Sequence, residues 1–293
     1  MAISAEQVKQ LRDKTGAGFM ECKAALEESS GSVDEAITIL RKKGLATAAK
    51  KAGRAARDGA VAAYVSEDHR TGVLVEVNCE TDFVAKTDQF RDLVQKVAAH
   101  ISAQKPARVR AEDPGDGPAL YDQKVKDGGD TWGQFISEKI ATIGENILVR
   151  RFVRYEGEYC EAYIHMQGKV GVLVELSGAQ GNDPSLKELG RELAMHIAAS
   201  DPRFVDRDQV NQEDLARERE IYRDQALKEG KPANVMDKIV EGKLSKFYSD
   251  VCLYEQPFIR DTNTSVRKWI ASKMGGKGAP AVKRFTRYRL GEQ

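Results

Sequence analysis

Apolar residues recur at helical spacing through the first part of the chain. Val33, Ala36, Ile37 and Leu40 fall at i, i+3, i+4 and i+7 and form one stripe of a helix, which the capping-box pattern Ser32 to Glu35 starts and Gly44 is placed to end. Val8 and Leu11 mark a first helix, and Phe19, Cys22 and Leu26 a second, with the tight turn Thr15-Gly16-Ala17-Gly18 between them. The pattern predicts a three-helix module ending near Arg54. From Arg41 to Arg57 the chain is rich in Lys and Arg and has no acid. Such a run suits a solvated connector, as a linker or short helix. Read instead as a phosphate-binding stripe, it lacks the aromatic side chains on which bases would stack.

From about Gly59 onward the apolar pattern repeats itself. Gly72-Val-Leu-Val-Glu76 recurs 99 positions on as Gly171-Val-Leu-Val-Glu175, and Ala63-Tyr64-Val65 recurs at the same offset as Ala162-Tyr163-Ile164. The helical stripe Phe90, Leu93, Val97, Ala98, Ile101 is matched 96 positions on by Leu186, Leu189, Leu193, Ala194, Ile197, with His100 matching His196. Arg151-Phe-Val-Arg-Tyr155 recurs 133 positions on as Arg284-Phe-Thr-Arg-Tyr288. Two α+β units follow, each a strand pair, a helix and a closing strand, with an antiparallel sheet covered on one face by helices. The offsets also locate the differences. The first copy has three extra residues between strand and helix, around Asn78–Val84, and the second has 37 extra before its closing strand. Those 37 fall in a charge-rich helical stretch from about Val205 to Asp250, broken at Gly230-Lys231-Pro232, which predicts a projecting helical hairpin. The expected division is 1–54 for the helical module with its basic linker and 55–158 for the first α+β unit. The second unit is 159–204 with 251–293, and the hairpin is 205–250.

Composition narrows the chemistry. Hydrophobic residues make up 41% and charged residues 31%, and Lys+Arg 46 nearly balance Asp+Glu 45, so no polyanionic partner is implied. No run approaches the ~18 uninterrupted apolar residues of a membrane span, and the N-terminus lacks an apolar signal core, so a cytoplasmic protein is expected. Cys22, Cys79, Cys160 and Cys252 are far apart and read as reduced, mostly buried thiols. Neither GxxxxGK[ST] nor GxSxG occurs. Gly275-Gly-Lys-Gly278 lacks the phosphate-loop spacing, and Gly16-Ala-Gly18 has no strand before it. None of His69, His100, His165 and His196 stands at metal-ligand spacing; His100 and His196 read as structural, while His165, after a strand, is freer to act. No catalytic residue, metal or cofactor is expected, nor direct nucleotide binding.

What remains is the enlarged turn Glu80-Thr81-Asp82-Phe83-Val84-Ala85-Lys86, with an aromatic beside a carboxylate between a strand and a helix. Two readings stand. Phe83 is core while Asp82 or Thr81 caps the next helix, or Phe83 is exposed as a wedge for a partner's pocket.

Leu11-Arg-Asp-Lys-Thr-Gly-Ala-Gly-Phe-Met-Glu-Cys-Lys-Ala-Ala-Leu26 and Glu76-Val-Asn-Cys-Glu-Thr-Asp-Phe-Val-Ala-Lys86 resemble the two diagnostic motifs of the bacterial translation elongation factor Ts family. The likeness continues in order through Ile143-Gly-Glu-Asn-Ile147, Ala194-Met-His-Ile-Ala-Ala-Ser200, Gly230-Lys-Pro232, Val240-Glu-Gly242 and Gln256-Pro-Phe258. The resemblance implies an N-terminal domain like a ubiquitin-associated domain, a two-part core and an antiparallel coiled-coil insertion. It also implies guanine nucleotide exchange on elongation factor Tu, bound to GDP or nucleotide-free. In that family the stretch matching Thr81, Asp82, Phe83 and Val84 enters the GTPase domain and helps displace its magnesium ion. Ile143 and Gly144 carry over as contacts beside it, His165 as a contact of the second unit, and Arg12, Phe19 and Met20 as N-terminal contacts, with Phe19 standing where the family has methionine. Lys105 to Asp130, with Pro106, Pro114, Gly115, Gly117, Pro118 and Gly128-Gly129, reads as an irregular excursion outside the motifs. Some relatives continue into a C-terminal helix that grips the GTPase, and that contact is expected to be absent here, where the sequence runs Arg289-Leu-Gly-Glu-Gln293. An RNA-binding or chaperone-like module is the competing reading, from the basic run and Lys283, Arg284, Arg287 and Arg289. Dimerisation through the hairpin stays open.

Overall fold

The computed structural model describes residues 3–126, 129–178, 183–274 and 279–292. Gly128 and the run 275–278 lie outside them. The chain forms two compact units: Met1–Ala62 with Val75–Arg154 and Arg289–Gln293, and Ala63–Leu74 with Tyr155–Tyr288.

The first unit begins with helices α1 (Ala5–Thr15), α2 (Phe19–Glu28) and α3 (Val33–Lys51). Val8, Leu11, Cys22, Ala25, Leu26 and Ala36 make their shared core. The starts of α1 and α3 are capped by serine. The Ser4 and Ser32 hydroxyls accept from the N–H groups of Gln7 and Glu35, and Gly16 ends α1 in the left-handed region at φ 67°. Helix α3 departs from expectation by running through Gly44 to Lys51, so the basic run up to there is helix. Gly44 is not a stop but a packing position: a Cβ built there lies 3.6 Å from Cβ of Ala141 on α6 (Trp132–Ile143), the helix α3 packs along. Tertiary contact overrides the weak helix preference of glycine. Strands β1 (Asp58–Val65), β2 (Thr71–Cys79) and β3 (Leu148–Glu156) form a sheet in that order, and α5 (Asp88–Gln104) buries Phe90, Leu93, Val94, Val97, Ala98 and Ile101.

The second unit repeats this plan. Strands β4 (Tyr159–His165), β5 (Val170–Ser177) and β8 (Ala281–Arg289) form a sheet in the order β4-β5-β8, with β4 and β5 antiparallel from Tyr159 opposite Leu176 to His165 opposite Val170. Helix α7 (Pro184–Ser200) lays Leu186, Leu189, Leu193, Ala194 and Ile197 on Tyr159, Val172, Val174 and Leu176. The opposite face of β5 is covered too. Leu173 is fully buried, and a Cβ on Gly72 would lie 2.5 Å from its Cδ1, so that site needs glycine for close approach. Burial along nearly the whole of β2 and β5 is what a run such as Val73-Leu74-Val75, without polar alternation, signals. A two-stranded ribbon, β6 (Pro257–Phe258) with β7 (Asp261–Ser265), and α10 (Val266–Lys273) complete the unit with the helical pair. Helices α8 (Gln212–Lys228) and α9 (Met236–Val251) are zipped by Leu215, Val240 and Leu244 inside and by Arg219–Glu241 and Arg223–Asp237 outside.

The duplication reaches individual hydrogen bonds, and it shows that part of Lys105–Asp130, read as an irregular excursion, belongs to the repeat. Leu120-Tyr-Asp-Gln123 is the counterpart of Leu253-Tyr-Glu-Gln256, each a single 3-10 turn. Gln123 Oε1 pairs with His100 Nε2 at 2.8 Å, and Gln256 Oε1 with His196 Nε2 at 2.9 Å. The Tyr121 hydroxyl accepts from Val149 N–H, and that of Tyr254 from Val282 N–H. The bridge Arg108–Ala119 answers Phe204–Cys252. On the middle strands, buried Glu76 and Glu175 each accept from an arginine Nε of the neighbouring strand, Arg151 at 2.8 Å and Arg284 at 2.5 Å. A carboxylate removed from water has to be paired this way.

Two outcomes follow from this packing. Gly44→Ala raises stability by about 0.5–1 kcal/mol, read by denaturant unfolding, because the new methyl meets Ala141 at ordinary contact distance and the unfolded chain loses freedom; destabilisation would mean that the helices cannot admit it. Burial lowers the pKa of His196 and His100, so the folded rings stay neutral while an unfolded chain protonates below about pH 6.5. Their share of stability is whole above that pH and declines as pH falls toward the lowered folded values. Thermal melting from pH 7 to 5 shows a steeper loss in the parent than in a His100→Gln, His196→Gln chain.

Candidate functional site

The residues by which the first copy exceeds the second lie where β2 leaves its sheet. There the chain makes a one-turn helix, α4 (Asp82–Ala85), before α5 begins. Two caps separate these helices: the Thr81 hydroxyl accepts from Val84 N–H, and that of Thr87 from Phe90 N–H. Thr81 therefore caps, as one sequence reading had it, but the other half of that reading fails. Phe83 is not core; it is 79% exposed, and α4 buries no residue. The reason is the second cap. By restarting the helix at Asp88 it makes Phe90 the first aromatic of the buried stripe and leaves Phe83 turned outward.

Polar bonds hold this turn in place. Glu145 Oε2 accepts from the N–H groups of Glu80 and Thr81, both at 3.0 Å, and its Oε1 accepts the Thr81 hydroxyl proton at 2.6 Å. In return Glu80 Oε1 accepts from Asn146 N–H at 2.7 Å. Asn146 also donates through its side chain to the carbonyls of Ala52 and Arg54, and Lys51 Nζ donates to the carbonyl of Gly144. Beneath the turn the Cys79 thiol donates to Thr81 O at 3.2 Å; burial, and then the charge of Glu145, push its pKa up to about 12, so it stays protonated. Asp82 pairs with Lys86 at 2.6 Å.

Ile143 is half-buried at the end of α6 and Gly144 caps that helix at φ 88°, so both adjoin the residue that grips Thr81. Thr81, Asp82, Phe83, Val84, Ile143 and Gly144 are thus brought together. Arg12, Phe19 and Met20 belong to the helical module of the same unit and are exposed, Met20 at 70% and Phe19 at 48%. His165 belongs to the second unit, exposed at the start of the β4–β5 turn, with Nδ1 2.9 Å from the Tyr163 hydroxyl. Glu80, Glu145 and Asn146 were not singled out from the sequence. All three stand inside quoted motifs, but pairing across 64–66 residues leaves no mark in a single sequence.

Part of the charge behind the RNA-binding reading is matched within the protein. Arg41 pairs with Asp130 and Glu138, Lys43 with Glu28, and Arg54 with Glu80. Lys283 and Arg284 hold Glu175, and Arg287 pairs with Asp201. Among the described residues no group of three or more His, Cys, Asp or Glu side chains is placed to hold a metal ion, and no helix is long and apolar enough to cross a membrane.

The site is therefore a polar-braced turn on a duplicated α+β scaffold, with an aromatic ring held out in water. The chain belongs to the elongation factor Ts family: the family model described as "Elongation factor TS" matches residues 80–292. It is 46% identical over 293 residues to elongation factor Ts of Halothermothrix orenii, covering 100% of this chain and 93% of that protein. With the Aquifex aeolicus elongation factor Ts it shares 45% identity over 293 residues, covering 99% of each, and with that of Trichlorobacter lovleyi 43% over 298 residues, covering 100% and 94%.

Because its ring touches so little, Phe83→Ala leaves the melting temperature within about 2 °C of the parent. A loss of about 3–5 kcal/mol, the cost of emptying a core phenylalanine site, would contradict the exposed placement.

Proposed function

We propose that this member of the family, a guanine nucleotide exchange factor for elongation factor Tu, drives GDP release through the turn Thr81–Val84, with Phe83 as the wedge and Asp82 beside it. The observation that carries the reading is the large aromatic at 79% exposure, on a turn fixed by three bonds to one carboxylate. A ring kept in water costs solubility and gains nothing for the fold, so its benefit lies in a complex, where buried aromatics dominate interface energies.

The magnesium ion of a GTPase bridges phosphate oxygens and neutralises their charge, so disturbing its site lowers nucleotide affinity. An aromatic pushed into the GTPase domain, with the Asp82 carboxylate following, does so without making or breaking a bond in either protein. By linkage, GDP weakens binding of the factor by the same ratio as the factor weakens GDP. Exchange then runs from the GDP-bound partner through a nucleotide-free complex that incoming GTP dissolves. Ile143 and Gly144 support the turn; Arg12, Phe19 and Met20 on the helical module and His165 on the second unit supply contacts that hold the partner. The same reading divides the chain into a docking module at 1–54, a wedge-bearing unit at 55–158, and a second unit at 159–204 and 251–293 with its hairpin at 205–250. It places the protein in the cytoplasm with its partner.

Phe83→Ala slows GDP release from elongation factor Tu by about 10- to 100-fold at saturating factor, measured with a fluorescent GDP analogue in stopped flow. An unchanged maximal rate removes Phe83 from the mechanism.

A further inference from the structure

Helix α4 is one turn long and fully buries no side chain, Val84 and Ala85 being only half-buried, so helix cooperativity and apolar packing do little to keep it in place. Its fixed points are polar, and they converge on Glu145. We infer that Glu145 is a positioning residue, whose carboxylate sets the pose in which Phe83 is offered to the partner and thereby the rate of exchange rather than the strength of docking. The inference rests on the reading of Phe83 as a wedge.

The route from carboxylate to ring can be followed bond by bond. A threonine hydroxyl has one proton, and Thr81 gives it to Glu145 Oε1 at 2.6 Å. The oxygen is then left as an acceptor for Val84 N–H, the bond that starts α4. Meanwhile Glu145 Oε2 holds two consecutive N–H groups, those of Glu80 and Thr81, which fixes the peptide planes leading into the helix. Hydrogen bonds to an ionised acceptor are the stronger kind. Glu145 is itself held, because Asn146 is tied to Glu80 and to the carbonyls of Ala52 and Arg54. A turn braced in this way enters a pocket without first being ordered, and a misplaced ring loses rate while other contacts still dock.

The test uses the full chain with Glu145→Ala, Glu145→Gln, Phe83→Ala and the double variant Phe83→Ala, Glu145→Ala. GDP release from elongation factor Tu is followed over a range of factor concentrations. Glu145→Ala lowers the maximal rate about tenfold while the half-saturating concentration moves less than about threefold. Glu145→Gln recovers most of the rate, since its amide can accept the two N–H bonds and reach the Thr81 oxygen. In the Phe83→Ala background Glu145→Ala costs nothing more. Hydrogen exchange on the free chain shows the amides of Thr81 and Val84 opening about tenfold faster in Glu145→Ala, with Val94 and Val97 of α5 unchanged. An equal cost in both backgrounds, an unaltered maximal rate, faster exchange through α5 or failure of the alanine variant to fold would each overturn the assignment. Full-rate release by Phe83→Ala alone would sink the wedge reading instead, and the amide exchange, read without partner, tells the two failures apart.

Discussion

An aromatic ring held in water has no packing to orient it, and the organisation of the first unit around residue 83 answers that constraint. Hydrophobic burial is non-directional and works only on surfaces that leave solvent, so it cannot position a side chain whose task is to stay outside. Hydrogen bonds are directional and can. Glu145, Glu80, Asn146 and Thr81 form a closed set of donors and acceptors between two turns, and the Cys79 thiol closes it from below. The elements that carry these turns, α3, α6, β2 and α5, are rigid for ordinary reasons: buried stripes, capped ends and a middle strand covered along its length.

Duplication explains how such a turn can be carried without disturbing the fold. The copies share strand order, the buried glutamate held by an arginine, the histidine bonded to a glutamine, and the tyrosine that receives a strand amide. These are features of one stable unit, reproduced twice. What differs is confined to connections: a longer strand-to-helix turn in the first copy and the α8–α9 pair in the second. Connections tolerate insertion because loop closure costs little more as length grows, whereas the framework does not. Agreement between copies marks stability, and the proposed function is placed on a departure from the repeat.

The same economy bears on exchange. A factor that acts by differential affinity has to bind the nucleotide-free partner better than the GDP-bound one, and contacts that compete with the metal and phosphate site supply such a difference. On the proposed reading, an exposed wedge on a fixed turn and docking residues distributed over other elements separate that competition from docking along the chain.

The sequence by itself determined the helix stripes, the cap at Ser32, the paired strands, the hairpin break at Gly230-Lys231-Pro232 and the place where the copies differ, because each rests on local spacing. It also marked Phe83 as the residue to watch, yet left its ring either inside or outside, since an aromatic beside a cap satisfies both readings. Tertiary structure decided that, through the second cap at Thr87 and the stripe that starts at Phe90. It likewise turned Gly44 from a stop into a helix contact, showed Leu120–Gln123 to be part of the repeat, and joined Glu145 to Thr81. The physical reason is common to all of these: whether a residue is buried, and which distant group answers its charge or proton, depends on the parts of the chain brought beside it, and a linear pattern records only neighbours in sequence.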